Sequence, residues 1–397
     1  MNPDIYLDYA AGAPMRPAAL AAYADACVTA NPHATHRPAR RARQALDQAR
    51  ESIALALGAS PAEVIFTSGG TEADGLAIGG IYAARQEGAA RPYLLVGATE
   101  HAAVADNAQA AGGARVLEIP VDCMGLADLD FVAEHLRRHG QETALISLMA
   151  ANNETGALQP VTELAAMAMR FGVPVHSDWV QAVGKLPLSL GGSGLAAASC
   201  SAHKLGGPVG VGVLLAGRRT PLKAVVGGGG QERGVRSGTL DARGAAGFAA
   251  ALEQALGEDP ATLERFLAPL DALIEAHPSL TALTPSGAHL PGLRSFAVAD
   301  AEGEAMVYLL DQAGLACSAG SACTAGVAQP SRVLLAMGLG QWARSAVRVS
   351  LGWESTAADV KALVAALPEA IDRAQVAARR RAAPRTRATG RVPEGRG

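Results

Sequence analysis

Between residues 36 and 217, short apolar runs of strand character alternate with helical patterns. The runs are EVIFTS (63–68), YLLVGAT (93–99), RVLEIPV (115–121), ALISLMA (144–150), VPVHSD (173–178), AAASCSA (196–202) and VGVLLA (211–216). Helical patterns occupy 71–87, 125–139 and 160–171. Strands joined through helices run parallel, because a parallel return needs a long crossover. Runs that are apolar throughout fit strands covered on both faces. The expected fold is α/β: a large domain with a mostly parallel, seven-stranded sheet flanked by helices, plus a smaller α+β domain. Ligands on such sheets bind beyond the carboxyl ends of the strands, so the residues just after each run are the candidates for chemistry.

A chain of 397 residues is too long for one small core. The segment PLKAVVGGGGQERGVRSGTLDARG (221–244) is a glycine-rich loop, of a length that compact domains keep for function. A helical stretch follows over 245–277. The expected boundaries are 15–255 for the large domain, and 1–14 with 256–376 for the small one. From Arg379 the tail carries seven arginines and two prolines with almost nothing apolar, so 377–397 is expected to be disordered. A net charge of -3 gives no sign of nucleic-acid or membrane binding. No apolar run is long enough to span a bilayer. The opening MNPDIYLDYAAG lacks the basic and apolar regions of a signal peptide. Five scattered cysteines form no disulfide framework, and a reducing cytoplasm is the simplest setting.

Five strand ends supply complementary groups. SAHKLGGP (201–208) puts Lys204 after one run, and VHSDWVQ (175–181) puts Asp178 at the end of another, with Gln181 one turn on. A lysine amine that forms a Schiff base, and an aspartate that keeps a pyridine nitrogen protonated, suit pyridoxal phosphate. FTSGGTEADGLAI (66–78) runs from a strand through Ser-Gly-Gly into a helix near Thr71, where free backbone N–H groups favour a phosphate. ATEHAAV (98–104) offers His101 to stack on the ring and move protons, and MAANNETG (149–156) offers Asn153 to its hydroxyl.

These residues resemble those of the cysteine desulfurases of the NifS/IscS type, within the class V aminotransferases of pyridoxal-phosphate fold type I. The resemblance rests on TSGGTEA, TEH, NNETG, HSDWVQ, SAHKLGGPVGVG, GGGQERGVRSGTL and GSACTAG, and runs from YLDYAAGAP to VRVSLGW. It implies that Lys204 carries the cofactor, with His101 stacked on the ring and active in acid–base steps. Asp178 pairs with the ring nitrogen, and Asn153 and Gln181 meet the ring oxygen. Gly70, Thr71, Ser201 and His203 bind the phosphate. Thr239 reaches the phosphate of a neighbouring subunit, which implies a homodimer. Arg348 and Asn153 bind the substrate, L-cysteine, and Arg348 grips its carboxylate. Cys323, in ACSAGSACTAG (316–326), takes the sulfur as a persulfide and passes it to an acceptor protein, such as an iron–sulfur scaffold or sulfur carrier. No metal site is implied beyond a transient iron–sulfur contact at Cys323.

Three readings remain open: a desulfurase, a selenocysteine lyase or other class V enzyme, and a sulfur carrier that has lost turnover. The loop cysteine favours the first. Cys317 fits packing, a resolving thiol or a metal contact, with packing favoured because it follows GLA. Cys27, Cys123 and Cys200 read as small buried hydrophobes. His33 and His36 lack a spaced third ligand, and the resemblance puts His36 near the site entrance. Where the family reads LDNAATTP, VDAAQ and SLGR, this chain has LDYAAGAP, SDWVQ and SLGW. Tyr9, Gly12, Trp179, Val180 and Trp353 are therefore expected to change the pocket's lining and mouth.

Overall fold

The computed structural model describes residues 5–27, 30–320, 323–324 and 327–382, without the side chains of 323–324, 327–328 and 381–382. After the short strand β1 (Ile5–Tyr6) come helices α1 (Pro17–Asp25) and α2 (Arg37–Ala56). Each apolar run then forms one strand of a single sheet: β2 (Val64–Thr67), β3 (Tyr93–Gly97), β4 (Arg115–Ile119), β5 (Thr143–Ser147), β6 (Val175–Asp178), β7 (Ala197–Ser201) and β8 (Gly212–Ala216). Their order across the sheet is β2-β8-β7-β6-β5-β3-β4. Helices α3 (Gly70–Arg85), α4 (Ala102–Ala110), α5 (Leu129–His139) and α6 (Val161–Met169) make the crossovers.

Strands β3 to β7 pair in parallel, whereas β8 is antiparallel to both β2 and β7. Only residues 202–211 separate β7 from β8, too few for a helical crossover, so the chain turns straight back. Alternate residues serve the two faces. Val64, Phe66, Leu95, Val213 and Leu215 pack on one side, with Leu46 and Ile53 of α2. Ile65, Leu94, Val96 and Leu214 pack on the other, against Leu76, Ile78 and Ile81 of α3. That double cover explains why these strands read as apolar throughout.

The stretch expected to be helical over 245–277 is two helices, α7 (Ala242–Leu256) and α8 (Ala261–Ala276). Gly257 and Pro260 interrupt it, proline having no N–H to continue the ladder. A second sheet, β14-β10-β9, is antiparallel and consists of β9 (Leu280–Ala282), β10 (Leu293–Val298) and β14 (Ala346–Ser350). Helix α9 (Gly303–Gln312) leads to β11 (Leu315–Ala316), which pairs in parallel with β1. The two-residue strands β12 (Cys323–Thr324) and β13 (Val327–Ala328) pair with each other, and α10 (Arg332–Ala336) and α11 (Ala357–Ala382) complete the chain. Leu267, Phe296, Met306, Val347, Leu363 and Ile371 form a core separate from that of the large sheet.

Two expectations change here. Helix α11 continues through Arg379 and Arg380 to Ala382, so the start of the supposedly disordered tail is helical. Its alanine-rich sequence has high helix propensity, and Glu369 and Arg373 pair one turn apart. Residues 383–397 lie outside the described residues. Cys27 and Cys123 are exposed, while Cys200 and Cys317 are buried. Cys27 comes just after α1 ends, and Cys123 sits on the turn that Asp122 closes by accepting from the N–H groups of Met124 and Leu126. Neither position faces a core.

Candidate active site

Sheet register brings the site together. Thr67 of β2 pairs with Gly212 of β8, which pairs with Ser201 of β7, and Ser199 of β7 pairs with Asp178 of β6. The Ser-Gly-Gly turn, the lysine turn and the aspartate thus share one edge. Close backbone approach makes this possible. A Cβ on Gly212 would lie 2.6 Å from the Gly69 carbonyl carbon, and one on Gly70 would lie 2.7 Å from Val180 Cγ2. Glu72, in the first turn of α3, accepts from Ser68 N and pairs with Arg236 at 2.7 Å, which fixes the turn.

A cleft of about 720 Å³ opens over this edge. Its walls include Gly70, Thr71, His101, Asn153, Asp178, Gln181, Ser201, His203, Lys204 and Arg348, so ten of the twelve expected site residues meet there. The other two are Thr239, which is exposed on the loop before α7, and Cys323. The backbone of Cys323 pairs with Ala328, but its thiol lies outside what the structure describes.

Lys204 Nζ donates to the carbonyl oxygens of Ala10 and Ala11, at 2.7 and 2.9 Å. Burial, helped by the positive charge of Arg348 and opposed by Asp8 and Asp178, brings its pKa down to about 8. Roughly one amine in ten is then uncharged at pH 7, against well under one in a thousand for an ordinary lysine. That fraction is what a nucleophilic amine needs.

Asp178 is buried and accepts from Val180 N at 2.7 Å. Burial raises its pKa, and the Val180 N–H, His101 and Lys204 oppose the rise. Two of the other carboxyl groups that line the cleft lie beside Asp178, neither of them anticipated from the sequence. Glu100 accepts from Met149 N at 2.6 Å, and Asp74 lies 3.6 Å from His176 Nε2. Burial, and then the charge of Asp178, push both pKa values well up. Asp178 is the one of the three whose charged form is favoured by nearby positive groups, His101 and Lys204. His176 bridges Ser147 Oγ and Ser199 Oγ, each at 2.9 Å, and burial pushes it down to about 3, so it is neutral. His203 shares a 2.8 Å hydrogen bond with Ser201 Oγ and is pushed down to about 4, mainly by burial.

Arg348 comes from β14 and brings the second sheet into the site. Its Nη1 donates to Asn153 O and its Nη2 to Asp8, both at 2.7 Å. Its Nε is buried and has no partner among the described residues. The Gln181 side-chain oxygen is in the same condition, while Gln181 Nε2 donates to Ala10 O at 2.8 Å. A buried donor or acceptor left unpaired is costly, so each marks a place where a bound group completes the site. The free Nε suits a carboxylate, and the free oxygen suits a hydroxyl. With a partly uncharged lysine, a carboxylate on the floor and a Gly-Gly-Thr helix start, the residues present fit pyridoxal phosphate.

The expected changes at the pocket are partly wrong. Trp179 is buried in the core of the large sheet, and only its neighbour Val180 lines the cleft. The side chain after Asp178 turns inward because Asp178 ends a strand, where successive residues face opposite ways. Trp353 donates from Nε1 to Pro14 O at 3.0 Å and lies under Arg16. With Tyr9 it lines a smaller cavity behind Lys204. His36 caps α2, its Nδ1 accepting from Ala39 N, and lies outside the cleft lining. Cys317 is packed, as favoured, with a thiol pushed up to about 12 by burial.

Fold and site define an α/β protein whose strand ends converge on a cleft that suits pyridoxal phosphate. The sequence matches the family "Aminotransferase class-V" over residues 5–363. It is 44% identical to an IscS-like cysteine desulfurase of Mycobacterium tuberculosis, over 94% of this chain and 98% of that one. It is 35% identical to the cysteine desulfurase IscS of Dictyoglomus turgidum, over 94% and 96%. The fold is similar to that of a NifS-like protein from Rickettsia africae, with a TM-score of 0.84 at 28% identity, over 93% and 99%. The chain belongs to the class V aminotransferase family and, within it, to the NifS/IscS-type cysteine desulfurases, whose cofactor is pyridoxal phosphate.

Proposed function

We propose that the chain converts L-cysteine to L-alanine and carries the released sulfur as a persulfide on Cys323 to an acceptor. The observation that carries this reading is the meeting of Lys204, Asp178 and the unpartnered Arg348 Nε in one cleft. When bound, pyridoxal phosphate supplies an electron sink for the substrate's Cα. Gly70, Thr71, Ser201 and His203 would hold its phosphate, and Asn153 and Gln181 its ring oxygen. Asp178 would keep the ring nitrogen protonated, with His101 stacked above. Arg348 would take the substrate carboxylate through Nε, a planar group that a guanidinium recognises. Lys204, close to its own pKa at neutral pH, moves the Cα proton. The Cys323 thiolate attacks the substrate sulfur, so that a sulfur–sulfur bond forms as the carbon–sulfur bond breaks.

The same reading makes the protein a cytoplasmic homodimer, in which exposed Thr239 reaches the partner's phosphate. Its acceptor serves iron–sulfur cluster or other thio-cofactor assembly. Residues 15–255 form the cofactor-binding domain, and 1–14 with 256–376 the smaller one. Cys323→Ala is expected to keep the visible cofactor absorbance and lose persulfide and sulfide formation. Sulfide release at the normal rate from that variant would sink the assignment. Selenocysteine, tried in parallel, separates a lyase that needs no loop cysteine.

A further inference from the structure

Glu154 is a partly buried acid that the mechanism above does not use. It follows Asn153 on a turn fixed to the large sheet: Asn152 Oδ1 accepts from Glu154 N at 2.9 Å, and Asn152 Nδ2 donates to Thr99 O at 3.0 Å. Its Oε2 accepts from Ser331 Oγ, and the same oxygen would lie 3.9 Å from a Cβ on Gly320. Ser318 pairs with Arg348 through both backbone bonds, Ser318 N to Arg348 O and Arg348 N to Ser318 O, at 3.1 and 2.7 Å. Ser331 N donates to Ala343 O at 2.8 Å. Ser318 and Ser331 thus anchor the chain on either side of Cys323, and the Glu154 carboxyl bonds to Ser331 and faces Gly320.

Helix capping does not account for this acid. Ser331 Oγ already caps α10 by accepting from Leu334 N at 3.1 Å. Burial pushes the Glu154 pKa up to about 7 against the pull of Ser331 and Arg348, so keeping an acid here costs stability. A neutral amide could fill the same space without that cost. Glu154, Ser318, Gly320, Ser331 and Arg348 all line the cleft.

We propose that Glu154 is a positioning residue for sulfur transfer: it ties the β5–α6 turn to Ser331, where the chain segment that carries Cys323 ends. This rests on the desulfurase reading, so persulfide formation by the wild-type holoenzyme is measured first; if there is none, that reading fails and this inference falls with it. Given wild-type activity, Glu154→Ala and Ser331→Ala holoenzymes are compared for the spectral response to L-cysteine, for KM, and for single-turnover persulfide on Cys323. Loss of one charge-assisted hydrogen bond predicts persulfide formation slowed about tenfold, with KM and the spectral response within about twofold of wild type. The double variant should be no slower than either single one, because both remove the same tie. Glu154→Gln, which keeps an acceptor for Ser331 but loses the charge-assisted bond, should recover only part of the rate. Ser331→Asp keeps a good helix cap but faces Glu154 with a like charge, so it should fold normally and transfer slowly. Normal single-turnover rates in Glu154→Ala and Ser331→Asp would overturn the proposal. So would a parallel loss of cysteine binding, which would place Glu154 in the substrate grip instead.

Discussion

Asp8 holds Arg348 in place, and its removal tests how the two sheets share the site. The pair is 2.7 Å apart, with side-chain exposures of 6% for Arg348 and 19% for Asp8. The backbone near Asp8 is held independently, since Tyr9 N donates to Ser350 O and Leu7 N to Ala316 O. Asp8→Ala therefore removes the carboxylate with little else. Taking one partner from a fully buried pair costs about 3–5 kcal/mol, because the remaining charge stays buried. Asp8 is partly wet, and Arg348 keeps its bond to Asn153 O, so about 2–3 kcal/mol is expected. Asp8→Asn keeps an acceptor and should cost about half as much. Urea unfolding of the apo protein, followed by far-UV circular dichroism, gives both numbers. A loss below about 0.5 kcal/mol in Asp8→Ala would show that Arg348 does not depend on Asp8, and would refute the argument.

Arg348→Lys should raise the KM for cysteine by at least about tenfold, since a single ammonium cannot serve Asp8, Asn153 O and a substrate carboxylate together; an unchanged KM would remove Arg348 from the substrate grip. His176 stays neutral down to about pH 3 in the folded state, whereas the unfolded chain takes up its proton near 6.5. Its contribution to stability is complete above 6.5 and lost as the pH falls toward 3. The stability of wild type minus that of His176→Asn should therefore fall by about 3 kcal/mol between pH 7 and pH 4, and a flat difference over that range would contradict a buried neutral imidazole. In a Cys323→Ala background, Cys27 and Cys123 should react with a thiol reagent in the native protein. Cys200 and Cys317 should react only after unfolding, as peptide mass mapping would show; early labelling of Cys317 would mean that its packing is wrong.

The large sheet was readable because both of its faces are covered, which turns each strand into an unbroken apolar run such as YLLVG. The site residues were readable for a related reason: at a strand's carboxyl end the chain is short and fixed, so Asp178 and Lys204 announce themselves by position. Antiparallel β8 was hidden, because a buried strand looks the same in either direction. Asp8 was hidden because its partner lies 340 residues away and nothing local marks the pairing. Nothing local in the sequence marks Asp74 and Glu100; burial beside Asp178 is what raises their pKa values. Trp179 misled in the opposite sense, since adjacency to Asp178 along a strand puts a side chain on the other face.

The most direct test is incubation of the pure holoenzyme with L-cysteine and a thiol reductant, with alanine and sulfide both measured. Equal amounts of the two, rising with time and absent in Cys323→Ala, are the predicted result. A cofactor spectrum that responds to cysteine while neither product accumulates would contradict desulfurase activity.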